Sequence, residues 1–106
     1  MAKFMVLGNY AAAGTAGLIA GGGTARVHAI KALCEELGGN LETCYFAFGE
    51  HDIVAILDLP DNASMTAASL AVAASGAVSM KTVVLIAPTE MDEAAQKVPG
   101  YKAPGS

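Results

Sequence analysis

The chain has no tryptophan, only two cysteines, six basic side chains and 15% charged residues, and each shortage closes a class of function. The six lysines and arginines are scattered along 106 residues and form no patch or stripe. A nucleic-acid partner needs such a patch, so none is expected. Cys34 and Cys44 make no CxxC pair, and with His28 and His51 they show no spacing of a known metal site. A metal is therefore not expected, and the plain reading is two buried thiols in a reduced compartment. No Ser-His-Asp order and no nucleophile elbow is visible. A membrane span needs about 20 consecutive apolar residues. The longest apolar stretch, Ala63 to Val78, is interrupted by Ser64, Thr66, Ser69, Ser75 and Gly76. Met1 to Leu7 is too short for a signal-peptide core and lacks the small-residue cleavage pattern. A cytoplasmic protein with no membrane partner and no cofactor is the expectation.

What the chain has in excess is apolar surface. It is 54% hydrophobic with a net charge of −4, whereas a typical soluble domain carries about 25% charged residues. Its length suits one domain, and a monomer of this size buries only a modest share of its surface. The surplus predicts an oligomer, with a second copy of the chain as the first partner.

The hydrophobic periods give the order of elements. Lys3 to Asn9 reads as a strand ending in a turn. Ala11 to Gly23 is Ala- and Gly-rich, with room for a short helical turn capped by Thr15. Thr24 is a good N-cap for a helix whose stripe is Val27, Ile30, Leu33, Cys34 and Leu37, with Arg26, Lys31, Glu35 and Glu36 away from it. Gly38-Gly39 ends that helix. Leu41 to Phe48 and Ile53 to Leu59 form a hairpin across Gly49-Glu50-His51-Asp52. Asp61 or Asn62 caps a helix running to about Ser75, and Val78 to Ala87 is the fourth strand. A short helix from Met91 to about Lys97 follows, then an extended tail over 99–106. The domain is set at 1–98. Strand, helix, strand, strand, helix, strand is the split βαβ pattern of α+β ferredoxin-like folds, with one antiparallel sheet and both main helices on one face.

The strands are apolar on both sides. Ile53, Ala55 and Leu57 oppose Val54 and Ile56, and Val83 and Leu85 oppose Val84 and Ile86. A one-sided sheet would alternate apolar with polar. Two helices cover one face, so the other is expected to pack on the sheet of a second copy as a barrel-like dimer.

The stretch from Phe46 to Ile56, with Gly49-Glu50-His51-Asp52 at its centre, resembles the GYD-domain family. The flanks Leu37-Gly38-Gly39, Pro60-Asp61-Asn62 and Ser75-Gly76-Ala77-Val78 fit as well. The resemblance covers roughly residues 3 to 95, with Glu50-His51 in place of the middle of the family's Gly-Tyr-Asp signature. It implies a dimeric α/β barrel. That group includes cofactor-free monooxygenases, dehydratases and effector-binding domains of amino-acid-responsive regulators. It implies no particular reaction.

The candidate residues follow from chemistry. His51 and His28 are the side chains able to serve as acid or base near neutral pH; the plainer readings are a solvated turn residue and a ring packed at a helix edge. Tyr10, His28, Tyr45 and Asp58 are the polar groups proposed to line a small-molecule pocket. Asp52 is read as a cap of turn N–H groups, and Gly49 as the residue allowing positive φ there. Gly21-Gly22-Gly23-Thr24 lacks P-loop spacing and reads as a linker before a helix. The leading function is an oligomeric small-molecule-binding or sensing module. The alternatives are a cofactor-independent enzyme on a small apolar or aromatic metabolite, and a structural subunit of a larger assembly.

Overall fold

The computed structural model describes residues 1–106. Four strands, β1 (Ala2–Tyr10), β2 (Asn40–Phe46), β3 (Ile53–Leu59) and β4 (Val78–Leu85), form one sheet in the order β2-β3-β1-β4. All three pairings are antiparallel, the strand order of a ferredoxin-like sheet. Four helices accompany it: α1 (Ala12–Gly21), α2 (Gly23–Glu36), α3 (Asn62–Ser75) and α4 (Pro88–Gln96).

The Ala/Gly segment after β1 is more ordered than a single turn. It makes the ten-residue helix α1, none of whose residues is buried. Alanine's helix propensity carries it where packing does little. Gly14 lets α1 approach the chain entering β4, since a Cβ there would collide with the Ala77 carbonyl. Gly22, at φ +82°, breaks α1 from α2, and α2 starts at Gly23 with no side-chain cap, so Thr24 is not its N-cap. Asp61 caps α3: its carboxylate accepts the Ser64 N–H at 2.8 Å, which holds its pKa below the usual carboxylate range. Gly76 ends α3. The last helix starts three residues earlier than its apolar content suggests, because Pro88 supplies a first-turn φ and Glu90 accepts the Ala87 N–H at 3.2 Å.

Both main helices lie on one face. Phe4, Val6, Ala55, Leu57 and Leu59 of the sheet are buried with Cys34 of α2 and with Met65 and Ala68 of α3. The helices pack on the sheet rather than on each other. Opposite these, Met5, Leu7, Val54 and Ile56 are only half-buried and no helix of the chain covers them. The faces of β2 are set by a bulge between Leu41 and Thr43: Leu41, Cys44 and Phe46 oppose helix-side residues of β3, and Thr43 and Tyr45 oppose Ile56 and Val54. Phe48 lies beyond the end of β2 and is fully exposed.

The chain is elongated. Its radius of gyration is 17.1 Å, against about 13 Å for a compact chain of this length. At its C-terminal end, α4 and residues 97–106 have no buried side chain and little contact with the rest of the protomer. No helix is long and apolar enough to cross a membrane.

Candidate functional site

A cavity of about 350 Å³ lies between the helix side of the sheet and α2 and α3, and sixteen of its nineteen lining residues are hydrophobic. Its floor is Val6, Gly8, Ile53, Ala55 and Leu57. One wall is Ala29, Ile30, Leu33 and Cys34 of α2; the other is Met65, Ala68, Ala71 and Val72 of α3. The opening has a simple origin. α3 presents Ala68 and Ala71 where larger side chains would fill the gap, and α2 and α3 do not close on each other.

Polar groups are few. Tyr10, at the end of β1, and Arg26, in the second turn of α2, both line the cavity, with Ser75 at the end of α3. Burial pushes the Tyr10 hydroxyl pKa up, and the nearby Arg26 guanidinium partly opposes that. Tyr10 therefore holds its proton at neutral pH and is available as a donor. Burial also raises the Cys34 and Cys44 thiols, so both free cysteines are poor nucleophiles. No acidic residue lines the cavity, and no carboxylate lies within 4.0 Å of Arg26.

Of the four proposed lining residues, the structure brings only Tyr10 to this cavity. Asp58 is on the opposite face of the sheet, half-buried, where it accepts from Lys3 Nζ at 3.0 Å and from Asn40 Nδ2 at 3.4 Å. His28 is exposed on α2, and Tyr45, 71% exposed, pairs with Val54 on the face away from the helices. Those two line a separate shallow hollow with Gly23, Thr24, Val27, Cys44 and Phe46. His51 is outside the cavity too: its Nδ1 is 3.0 Å from Asn9 Oδ1, while Asn9 Nδ2 donates to the Glu50 carbonyl at 2.9 Å. These contacts tie the hairpin to β1.

Asp52 is structural in a different way from a turn cap. Its carboxylate accepts the Tyr10 N–H at 2.9 Å and its own N–H donates to the Gly8 carbonyl at 2.9 Å. It thus fixes the strand end that carries Tyr10. Gly49 is not at positive φ, since the only glycines there are Gly22, Gly38, Gly76 and Gly105. The four-residue turn closes through the Ala47 N–H to the Asp52 carbonyl at 2.8 Å, without a left-handed residue.

Arg26 is the residue that the hydrophobic stripe concealed. Counted as a polar break, it falls outside Val27, Ile30 and Cys34. Yet Arg26, Ile30, Leu33 and Leu37 are spaced by four, three and four residues, a second reading of the same helix face.

An α+β domain with a ferredoxin-like sheet and an apolar cavity under its two main helices is the class that these features define. The model of the GYD domain matches residues 4–95, and the chain belongs to that family. No curated protein and no solved structure matches the chain.

Proposed function

We propose that the protein is a homo-oligomeric small-molecule-binding module of the cytoplasm, in which each protomer holds one ligand between its sheet and helices. The observation that carries this reading is the cavity, which is apolar, open and supplied with a few convergent polar groups. At about 350 Å³ it is within the range of small-molecule sites. Pairing of two copies through the uncovered sheet face is supported by Met5, Leu7, Val54 and Ile56, and by Tyr45 and Val83 at 71% and 40% exposure. Two free thiols accord with a reduced compartment. Neither candidate histidine lines the cavity, so an acid–base step by histidine on a cavity-bound molecule has no support.

Native mass spectrometry of protein taken from its own cells tests the reading. A dimer, or a multiple of one, that retains a small organic mass on each protomer is expected. A ligand-free monomer at micromolar concentration would refute both halves.

A further inference from the structure

The cavity has one feature that an apolar ligand alone leaves unexplained. Nε of Arg26 is sealed from solvent and has no hydrogen-bond partner. It is the only such side-chain nitrogen or oxygen in the protein. A sealed donor without an acceptor costs free energy, although Arg26 as a whole is only half-buried. Native structures rarely leave such a group unmatched. Within this chain the guanidinium meets the neutral Tyr10 hydroxyl but no counter-charge: no carboxylate lies within 4.0 Å of Arg26, and the lining holds no Asp or Glu. Asp52, at this end of the sheet, is engaged by the Tyr10 N–H.

From these observations, and building on the cavity reading above, we infer that the ligand is a small apolar molecule bearing a single carboxylate, with the carboxylate on Arg26 and Tyr10 and the hydrocarbon over the alanine wall of α3. The planar guanidinium offers paired donors that match a carboxylate. Tyr10 adds a hydroxyl donor at the same end, and Ala68, Ala71 and Val72 leave the rest of the space dry. A phosphate monoester would share the anion chemistry. It would bring about two negative charges to one guanidinium, and the second charge has no partner in the lining.

The test is isothermal titration calorimetry on the full chain with 1-naphthoate, 1-naphthamide, octanoate, octanamide and 1-naphthyl phosphate. Each acid is expected to bind at least about tenfold more tightly than its amide, the size of one charge-assisted contact. The phosphate is expected to bind more weakly than naphthoate. Arg26→Met should reduce the acid preference to about twofold or less while keeping naphthamide affinity. Arg26→Lys, which keeps the charge and loses the fork, should fall between, and stands in if the methionine variant does not fold. Equal affinity for acid and amide, a preference that survives Arg26→Met, or tighter binding of the phosphate would overturn the carboxylate assignment and leave the cavity reading intact. If none of the five compounds binds the wild-type chain, the cavity reading falls as well.

Discussion

On the helix side of the sheet, Phe4 and Leu57 stand opposite each other and are sealed, at 2% and 5% exposure. One residue along, on the other side, Met5 and Ile56 are the same kind of pair, yet both stay half-exposed. At these positions the chemistry of the two faces is alike, and the covering differs; away from them the uncovered face also carries Lys3, Asp58 and Lys81. Helix-side residues are stabilised within the protomer by transfer from water and close packing. Residues of the other face gain that stabilisation only from something outside the protomer. The comparison therefore separates what folds this chain from what assembles it, and substitutions can test each part separately.

The largest effect is expected inside. Leu59 is fully buried, and Leu59→Ala should cost about 2–5 kcal/mol, read by urea unfolding at fixed protein concentration because association contributes to apparent stability. A loss under about 1 kcal/mol would place Leu59 outside the core and blur the distinction between the faces. Next comes Ile56→Lys on the uncovered face. It should abolish association at micromolar concentration in sedimentation velocity while leaving the far-ultraviolet circular dichroism unchanged. A dimer that persists would show that copies meet elsewhere.

A smaller effect follows from the projecting end. Deleting residues 88–106 in the Ile56→Lys background should change protomer stability by no more than about 0.5 kcal/mol, as for surface changes generally, because α4 packs on little of its own chain. A larger loss would mean that α4 belongs to the protomer core.

The smallest effect is electrostatic. The Lys3 ammonium has its pKa raised by hydrogen bonding to Glu42 and then to Asp58. Its stabilisation is complete below the unfolded value and fades as pH climbs through the higher folded value. Lys3→Met should therefore flatten the alkaline limb of the stability curve above roughly pH 10.5, and the difference should shrink with added salt because the group is exposed. An unchanged alkaline limb would remove the ion cluster from the account.

Legibility in the sequence followed the strength of the local signals. β3 runs from Ile53 to Leu59 as the pattern requires, because Asp52 and Pro60 bracket a run with a clear period of two. α3 ends where Gly76 places it, and Asp61 caps it. Bounds blurred where the signal was compositional. The Ala/Gly segment has no amphipathic stripe, so composition alone marks only a short turn where α1 forms. The site was less legible than the fold for a geometric reason. Asp58 and Tyr45 belong to strands that pass the cavity, but register turns both to the far face. Arg26 was hidden because a charged residue on a helix ordinarily marks the solvent side. Here its side chain borders a space that depends on how far α2 stands from α3, a distance no local pattern encodes.

The bulge at Glu42 bears on how this strand can vary in length. It sits between Leu41, opposite Leu57, and Thr43, opposite Ile56, so Glu42 is the residue left over when the faces of β2 are counted. Removing a residue beyond the bulge, such as Cys44, would exchange the two faces from that point on, sending Tyr45 under the helices and Phe46 outward. Removing Glu42 would close the ladder with every other side chain still on its own side, at the loss of one partner of Lys3. Length can thus change by one residue at a single place in β2 while the pattern on either side keeps its meaning.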